Sequence, residues 1–573
     1  MSIRLLLESF LGLMKESGEL DKLLPLLVTS MGHDIPFSAQ KGIREYGIDV
    51  VSVGKDPEDG RRKIFYWLIK CGDIGRAEWN LTNQSIRQSI DDAGDTFLST
   101  NVLPQHKKLS KKLVILTNGI FKTEIRQTLS QYLEKWNRTN KAESLIVNGS
   151  LLASWTEKYL FDENILPPEH RTLFRRVLAN IANPELSVPV GRQLIKGILE
   201  SPQPSGLQTQ KQTKRRLSSF RAVRTALTVI FQWSINEGGL ETIRQLSEFA
   251  VLESWAQIQN DLEELDKAIS EEFAELQYQM LSVGQSYFTK IHPYLVIKDA
   301  LSLQAGDALV TNTLTFREIG QLGLHGVTWG FFATEATGDV SILATQWTLI
   351  CSNLISKILQ THEGSQSPAF DYQAVEIHCG LLCLMITGKR NDAAMWVTNI
   401  IGRLGFIVKD KKKFWPMVAQ FEEVLETRNS SSPPNPEFLD VSSLIPILAL
   451  WCAVLDIDES YQVIRQRILP SMPDLSLNIW SSDQDFDGII SDQAKLHESG
   501  FGQVLSGVPE TASQLLSILK KEAEEIPSLD KFSWYRNRVP MIPLLAALHW
   551  KLQIPKQMLV EHISAFQLSK GAG

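Results

Sequence analysis

The sequence predicts an α/β domain at the N-terminus, with a mixed central sheet flanked by helices, followed by a large, mostly α-helical region. Over residues 1–165, short runs rich in β-branched and aromatic residues alternate with segments of helical period. After Pro167 the strand signals largely stop, and apolar residues recur three and four apart for long stretches. Length is the third observation: 573 residues exceed what one hydrophobic core organises, so several domains are expected.

In chain order, residues 3–15 and 20–31 read as helices, with Leu6, Phe10 and Leu13, then Leu24 and Leu27, at helical spacing. Ile48 to Val53 and Ile64 to Lys70 are apolar runs flanking a polar turn with Pro57, Asp59 and Gly60, the pattern of a β-hairpin. Asn83 to Leu98 follows as a helix, Leu113 to Thr117 as a strand and Lys122 to Asn137 as a helix. Ser144 to Val147 is a short strand, and Leu151 to Leu160 closes the domain as a helix. Residues 166–215 form a helical, basic connector whose stretch 201–213 has the composition of a flexible linker. Two α-helical domains are expected beyond it, 216–428 and 437–573, separated by N-S-S-S-P-P-N-P at 429–436.

Bulk composition narrows the class. Hydrophobic content of 43% and charged content of 21% are those of an ordinary folded soluble protein. Five cysteines without regular spacing argue against a disulfide framework and predict a reducing, cytoplasmic setting. Arg4, Glu8 and Lys15 interrupt the apolar N-terminus, which reads as an amphipathic helix and not as a signal peptide. The longest apolar run, Leu444 to Leu455, is too short to span a bilayer, so no membrane partner is expected. The net charge of −7 is unevenly spread: the front is neutral, 171–225 is strongly basic and the rear is acidic. A polyanion would meet the front and the basic waist.

The chemistry concentrates between Arg44 and Ile74. Asp49 lies on the first strand of the hairpin and Lys70 ends the second, so pairing brings a carboxylate and an ammonium to one edge of a sheet. G-I-D-V-V at 47–51, the strand ending at Lys70, G-D-I at 72–74, L-V-I-L-T-N-G at 113–119 and L-I-V-N-G at 145–149 follow in that order. These residues resemble the restriction-endonuclease-like nucleases, the PD-(D/E)xK superfamily, and in particular its type IV, methylation-restriction-like branch. The resemblance covers roughly the first 165 residues. It implies a Mg²⁺- or Mn²⁺-dependent phosphodiester hydrolase with Asp49 as a metal-binding carboxylate, the Ile69 carbonyl as a further ligand, and Lys70 as the cation beside the scissile phosphate. The sequence departs from the pattern at Leu68, where the family carries an acid or glutamine.

Another carboxylate is therefore required. Glu45, four residues before Asp49, is the first candidate and Asp73 the second, with Gln84 and Gln88 completing a polar pocket. Three basic clusters are candidate phosphate contacts: Arg61, Arg62 and Lys63; Lys107, Lys108, Lys111 and Lys112; and Lys214, Arg215 and Arg216. Other features read as core residues, for the histidine and cysteines, and as tight helix packing or loops, for the glycines. His378, Cys379 and Cys383 lie on an apolar helical stretch lacking a fourth zinc ligand, and Gly320, Gly323, Gly326 and Gly330 lack the lysine and hydroxyl of a phosphate loop.

Two functions are expected from this reading. The first is a bacterial cytoplasmic DNA endonuclease whose helical rear senses, regulates or assembles, serving defence against phage or foreign DNA. The second is a nuclease fold that no longer cuts and instead binds DNA or a partner subunit. Leu68 favours the second. Cutting both strands of a duplex with one site per chain makes self-association a natural expectation.

Overall fold

The computed structural model describes residues 8, 11–12, 14–38, 48–80, 85–94, 108–160, 168–200, 209–259, 267–410, 421–429, 440–481, 501–505, 508–524 and 528–568. Its contacts divide the chain into two units, Met1–Leu246 and Ser247–Gly573.

Unit 1 is built on a five-stranded sheet in the order β1 (Asp34–Ser38), β2 (Val50–Lys55), β3 (Arg62–Lys70), β4 (Ser110–Thr117) and β5 (Glu143–Val147). The first three strands pair antiparallel, and β3, β4 and β5 run parallel. The expected hairpin is present, with Val50 opposite Trp67 and Lys55 opposite Arg62. Its turn closes through Gly60, whose φ of 72° suits a residue without a Cβ. The edge strand β1 was not expected from the sequence. It is five residues long, contains Pro36 and has a register shift, so it lacks clean alternation; an edge strand tolerates the missing N–H of proline.

Helices α1 (Asp21–Ser30), α2 (Ile86–Asp92), α3 (Thr123–Asn140), α4 (Gly149–Trp155) and α5 (Thr209–Glu237) accompany the sheet. Strand alternation sorts the side chains into two layers. Val51, Val53, Ile64, Tyr66, Leu68, Leu113 and Ile115 form one core with Ile86 and Ile90 of α2 and Ile125, Leu129 and Trp136 of α3. Each such large side chain, once buried, stabilises by roughly 1.5–3 kcal/mol. On the other face Trp67 meets Trp155 edge-on, and Ser52 accepts the Trp67 indole N–H at 2.8 Å.

The domain borders differ from those expected. Helix α5 begins at Thr209, inside the stretch whose Gln- and Thr-rich composition suggested a linker, and everything to Leu246 groups with the sheet. Likewise 247–573 forms one unit, although 429–436 has linker composition. One reason is Asp371, whose buried carboxylate accepts the Ser442 hydroxyl at 2.6 Å and the backbone N–H groups of Ser443 and Leu444 at 2.8 and 3.2 Å. It thereby caps the helix Leu444–Leu455 from the far side of that stretch.

Unit 2 is mainly helical, with a small sheet of β6 (Val441–Ser442), β7 (Ser476–Ser481) and β8 (Phe501–Leu505) that the sequence reading did not foresee. Its centre holds α6 (Ala308–Glu335), α7 (Asp339–Thr361) and α8 (Ala374–Ile386). The α6 glycines are a packing stripe. A Cβ on Gly323 would lie 2.4 Å from the Cys379 backbone, and one on Gly326 would lie 2.3 Å from the Cys383 sulfur. His378 is also core: its Nδ1 accepts the Trp451 indole N–H at 3.1 Å, and its Nε2 faces His562 Nδ1 at 3.1 Å. Burial keeps both imidazoles well below their ordinary pKa, His562 at about 4, so both are neutral at pH 7. Among the described residues, α7 alone is long and apolar enough to cross a membrane, and it packs against α6 and α8.

Candidate active site

Strand alternation puts Leu68 and Lys70 of β3 on one face of the sheet, and Asp49 directly precedes β2, the strand paired with β3. The Asp49 N–H donates to the carbonyl of Trp67, the residue that the register pairs with Val50, at 2.9 Å, so the regular ladder ends here. Its carboxylate Oδ2 then accepts the Ile69 N–H at 2.6 Å. Asp49 is thus tied to the residue directly before Lys70.

Lys70 ends β3, beside Thr117 in the register with β4, and its side chain is about one-fifth exposed. Its ammonium lies 3.5 Å from Glu16 Oε1. Glu16 opens a short helical turn, Glu16–Leu20, that leads into α1. Sequence reasoning missed this carboxylate because 54 residues separate it from Lys70. Glu45 and Gln84, both expected at the site, lie outside the described residues.

The motifs flanking Lys70 interlock. The Asn118 side-chain oxygen accepts the Gly72 N–H at 2.7 Å, and the Thr117 hydroxyl donates to the Gly72 carbonyl at 2.6 Å. Asn118 Nδ2 donates to the Leu11 and Met14 carbonyls at 2.6 and 2.8 Å, and the Cys71 thiol also donates to Met14. Gly119 permits this approach, since a Cβ there would come within 2.4 Å of the Gly72 carbonyl carbon. T-N-G therefore fastens the loop after Lys70 to the chain just before Glu16. Asp73, expected as a second carboxylate, accepts the Ile120 N–H at 3.1 Å and serves that same clasp. Gln88 is exposed on α2, on the side away from the buried Ile86 and Ile90, and is not in the core facing the sheet.

Leu68 is 1% exposed and packs with Tyr66 and Ile64 in the core under α2 and α3. Leu68 is thus a core residue and offers no ligand atom from its side chain.

Two of the expected phosphate contacts are corrected. Lys63 and Lys112 have 3% and 1% side-chain exposure, far too little to reach a phosphate backbone. Both ammonium groups lie 2.7 Å from the fully buried carboxylate of Asp56. Lys63 also reaches Asp59 at 2.8 Å and Glu143 at 2.6 Å, and Lys112 reaches Glu58. Burial pushes the Asp56 carboxyl up, but the bonds from Lys112 and Lys63 outweigh it and hold it below its ordinary value. Burial works against the Lys63 charge, and its three carboxylates more than compensate, raising its pKa.

The oxygens of Asp56, Asp59 and Glu143 lie within 4.8 Å of one another, close enough to hold a metal ion. The Lys63 ammonium already stands within 2.8 Å of all three, so the cluster has its cation. It also lies at the opposite end of β3 from Lys70, roughly 23 Å away at the usual rise per residue.

Of the remaining basic residues, Arg61 and Lys108 are exposed, and Arg62 is exposed with Asp34 at 3.2 Å. Lys111, Arg215 and Arg216 are half-buried, the latter two on α5; Lys107 and the Lys214 side chain lie outside the described residues.

Comparisons with protein-family models, with curated proteins and with solved structures give no match. The functional reading rests on the residues themselves.

Proposed function

We propose that unit 1 is a Mg²⁺- or Mn²⁺-dependent nuclease acting on DNA, with Asp49 and Lys70 at its centre. The observation that carries this reading is the bond from the Ile69 N–H to Asp49, which sets a carboxylate beside the strand end bearing Lys70. The donors available there are hard oxygens, from Asp49, Glu16 and the Ile69 carbonyl, and such ligands suit Mg²⁺ and Mn²⁺. Glu16 takes the role left open by Leu68. A bound divalent ion would polarise a phosphoryl oxygen and acidify a water. Lys70 would hold its positive charge beside the phosphate as negative charge develops. Exposed Arg61 and Lys108 would contribute sequence-independent phosphate contacts. The helical unit would regulate or assemble the enzyme, and anti-phage defence is the setting this architecture suits.

Calorimetric titration with Mn²⁺ tests the site directly. Saturable binding should occur and should weaken at least about tenfold in Asp49→Asn, a loss of about 1.4 kcal/mol. Equal binding by both proteins would remove Asp49 from any metal site.

A second reading is favoured by one observation, the burial of Leu68 in the apolar core. In that reading the fold has lost catalysis and unit 1 serves as a DNA- or protein-binding scaffold. Mn²⁺ binding without cleavage under any condition would support it.

A further inference from the structure

Under the turn that carries Glu16 lies a cavity of about 160 Å³. Met14, Leu23, Leu26 and Val229 give it apolar walls. Three threonines also line it, and each donates its hydroxyl to the carbonyl four residues earlier: Thr156 to Leu152 at 2.9 Å, Thr225 to Arg221 at 2.8 Å and Thr228 to Arg224 at 2.9 Å. Their donors are spent within their own helices, so apart from the Gln232 amide the uncharged lining offers an occupant little beyond van der Waals contact.

Charge is confined to Glu19, Lys22 and Arg224. The Glu19 carboxylate is engaged, accepting the Lys15 backbone N–H at 2.8 Å. The exposed Lys22, beside a carboxylate that is already capped, suits an anionic head. The space suits a small apolar body, since apolar cavities near this size hold a benzene-sized ligand.

We propose that this cavity binds a small carboxylate with an apolar body of about six carbons, and that its occupant shifts Glu16 away from Lys70. Met14 and Glu19, which line the cavity, flank Glu16 in sequence, so a ligand seated there presses on the turn that holds the Glu16–Lys70 pair. The claim that this regulates an enzyme rests on the nuclease reading, whereas the binding claim and the effect on Lys70 do not.

The test titrates the full chain with hexanoate, and with 1-hexanol for comparison, while mass spectrometry follows acetylation of Lys70 by acetic anhydride. Hexanoate should bind saturably and at least about threefold more tightly than hexanol, and Lys22→Glu should abolish that preference. Leu26→Trp, at a half-buried position, should weaken hexanoate about tenfold by filling the space, and Val229→Trp should do the same if it folds. At saturation the Lys70 acetylation rate should rise at least twofold, by about 0.4 kcal/mol of barrier. Absence of saturable binding, or binding indifferent to Leu26→Trp, overturns the site. Binding with an unchanged Lys70 rate overturns the coupling. Failure of DNA cleavage with both results intact would defeat the nuclease reading and leave the pocket standing.

Discussion

The carboxylate of Glu16 lies 3.5 Å from the ammonium of Lys70, across 54 residues of sequence. Both side chains are partly exposed, so the pair contributes little to folding, about 0–1 kcal/mol. Its significance is positional: it brings a second carboxylate to the strand end where Asp49 is already tied. Glu16→Gln should therefore leave the urea midpoint nearly unchanged while weakening Mn²⁺ binding at least about tenfold. A large loss of stability with unaltered metal binding would make Glu16 a structural residue.

The buried cluster at the other end of β3 should behave in the opposite way. Asp56→Asn leaves two buried ammonium groups with weakened compensation and should destabilise unit 1 by about 3–5 kcal/mol. Lys112→Met should cost less, because Asp56 keeps Lys63. Asp56 has a depressed pKa, so its contribution is present above the ordinary carboxylate range and is lost as pH falls through the folded value. Urea melts of the two variants at pH 7 check the ranking, and equal costs would refute it.

Sequence legibility followed distance along the chain. Strands β2 and β3 were visible because their apolar runs and turn are local, and of the two readings of the α6 glycines, tight helix packing or loops, the structure shows the first. Lys63 and Lys112 were read as phosphate contacts because their partners are remote: Glu143 is 80 residues from Lys63, and Asp56 is 56 from Lys112. Nothing local distinguishes a lysine awaiting phosphate from one awaiting a buried aspartate. T-N-G was visible as a motif, yet its work in clamping Gly72 and the chain before Glu16 depends on contacts that only folding supplies.

Glycine packing in unit 2 carries its own expectation. Gly323→Ala would force the new methyl against the Cys379 backbone, which cannot move as a side-chain tip can. A cost of about 1–3 kcal/mol is expected, seen as a lowered urea midpoint. Gly402→Ala, where nothing lies within 4 Å, should be neutral or slightly stabilising in the same helical unit, by up to about 1 kcal/mol. Similar effects at both positions would contradict close packing of α6 on α8.

Glu376 should make unit 2 sensitive to pH. Burial raises its pKa to about 7, and Oε2 has no hydrogen-bond partner. The folded state holds the proton more tightly than the unfolded chain, so stability falls as pH rises from about 4.5 to about 7 and the deficit persists above that. Glu376→Gln removes the titration. Its stability relative to wild type should improve by about 3 kcal/mol between pH 4.5 and pH 8, measured by paired urea melts. A difference independent of pH would show that Glu376 does not titrate in this range.

Cleavage of supercoiled plasmid DNA in Mg²⁺ or Mn²⁺ by the full chain is the decisive measurement for a nuclease site at Asp49 and Lys70. The comparison is wild type against Asp49→Ala and Lys70→Ala, matched for folding by circular dichroism. The account predicts metal-dependent nicking or cutting by wild type and its loss, by at least about a hundredfold, in each variant. Cutting that survives in both variants, or no cutting by wild type with either metal alongside unaltered DNA binding, would contradict it.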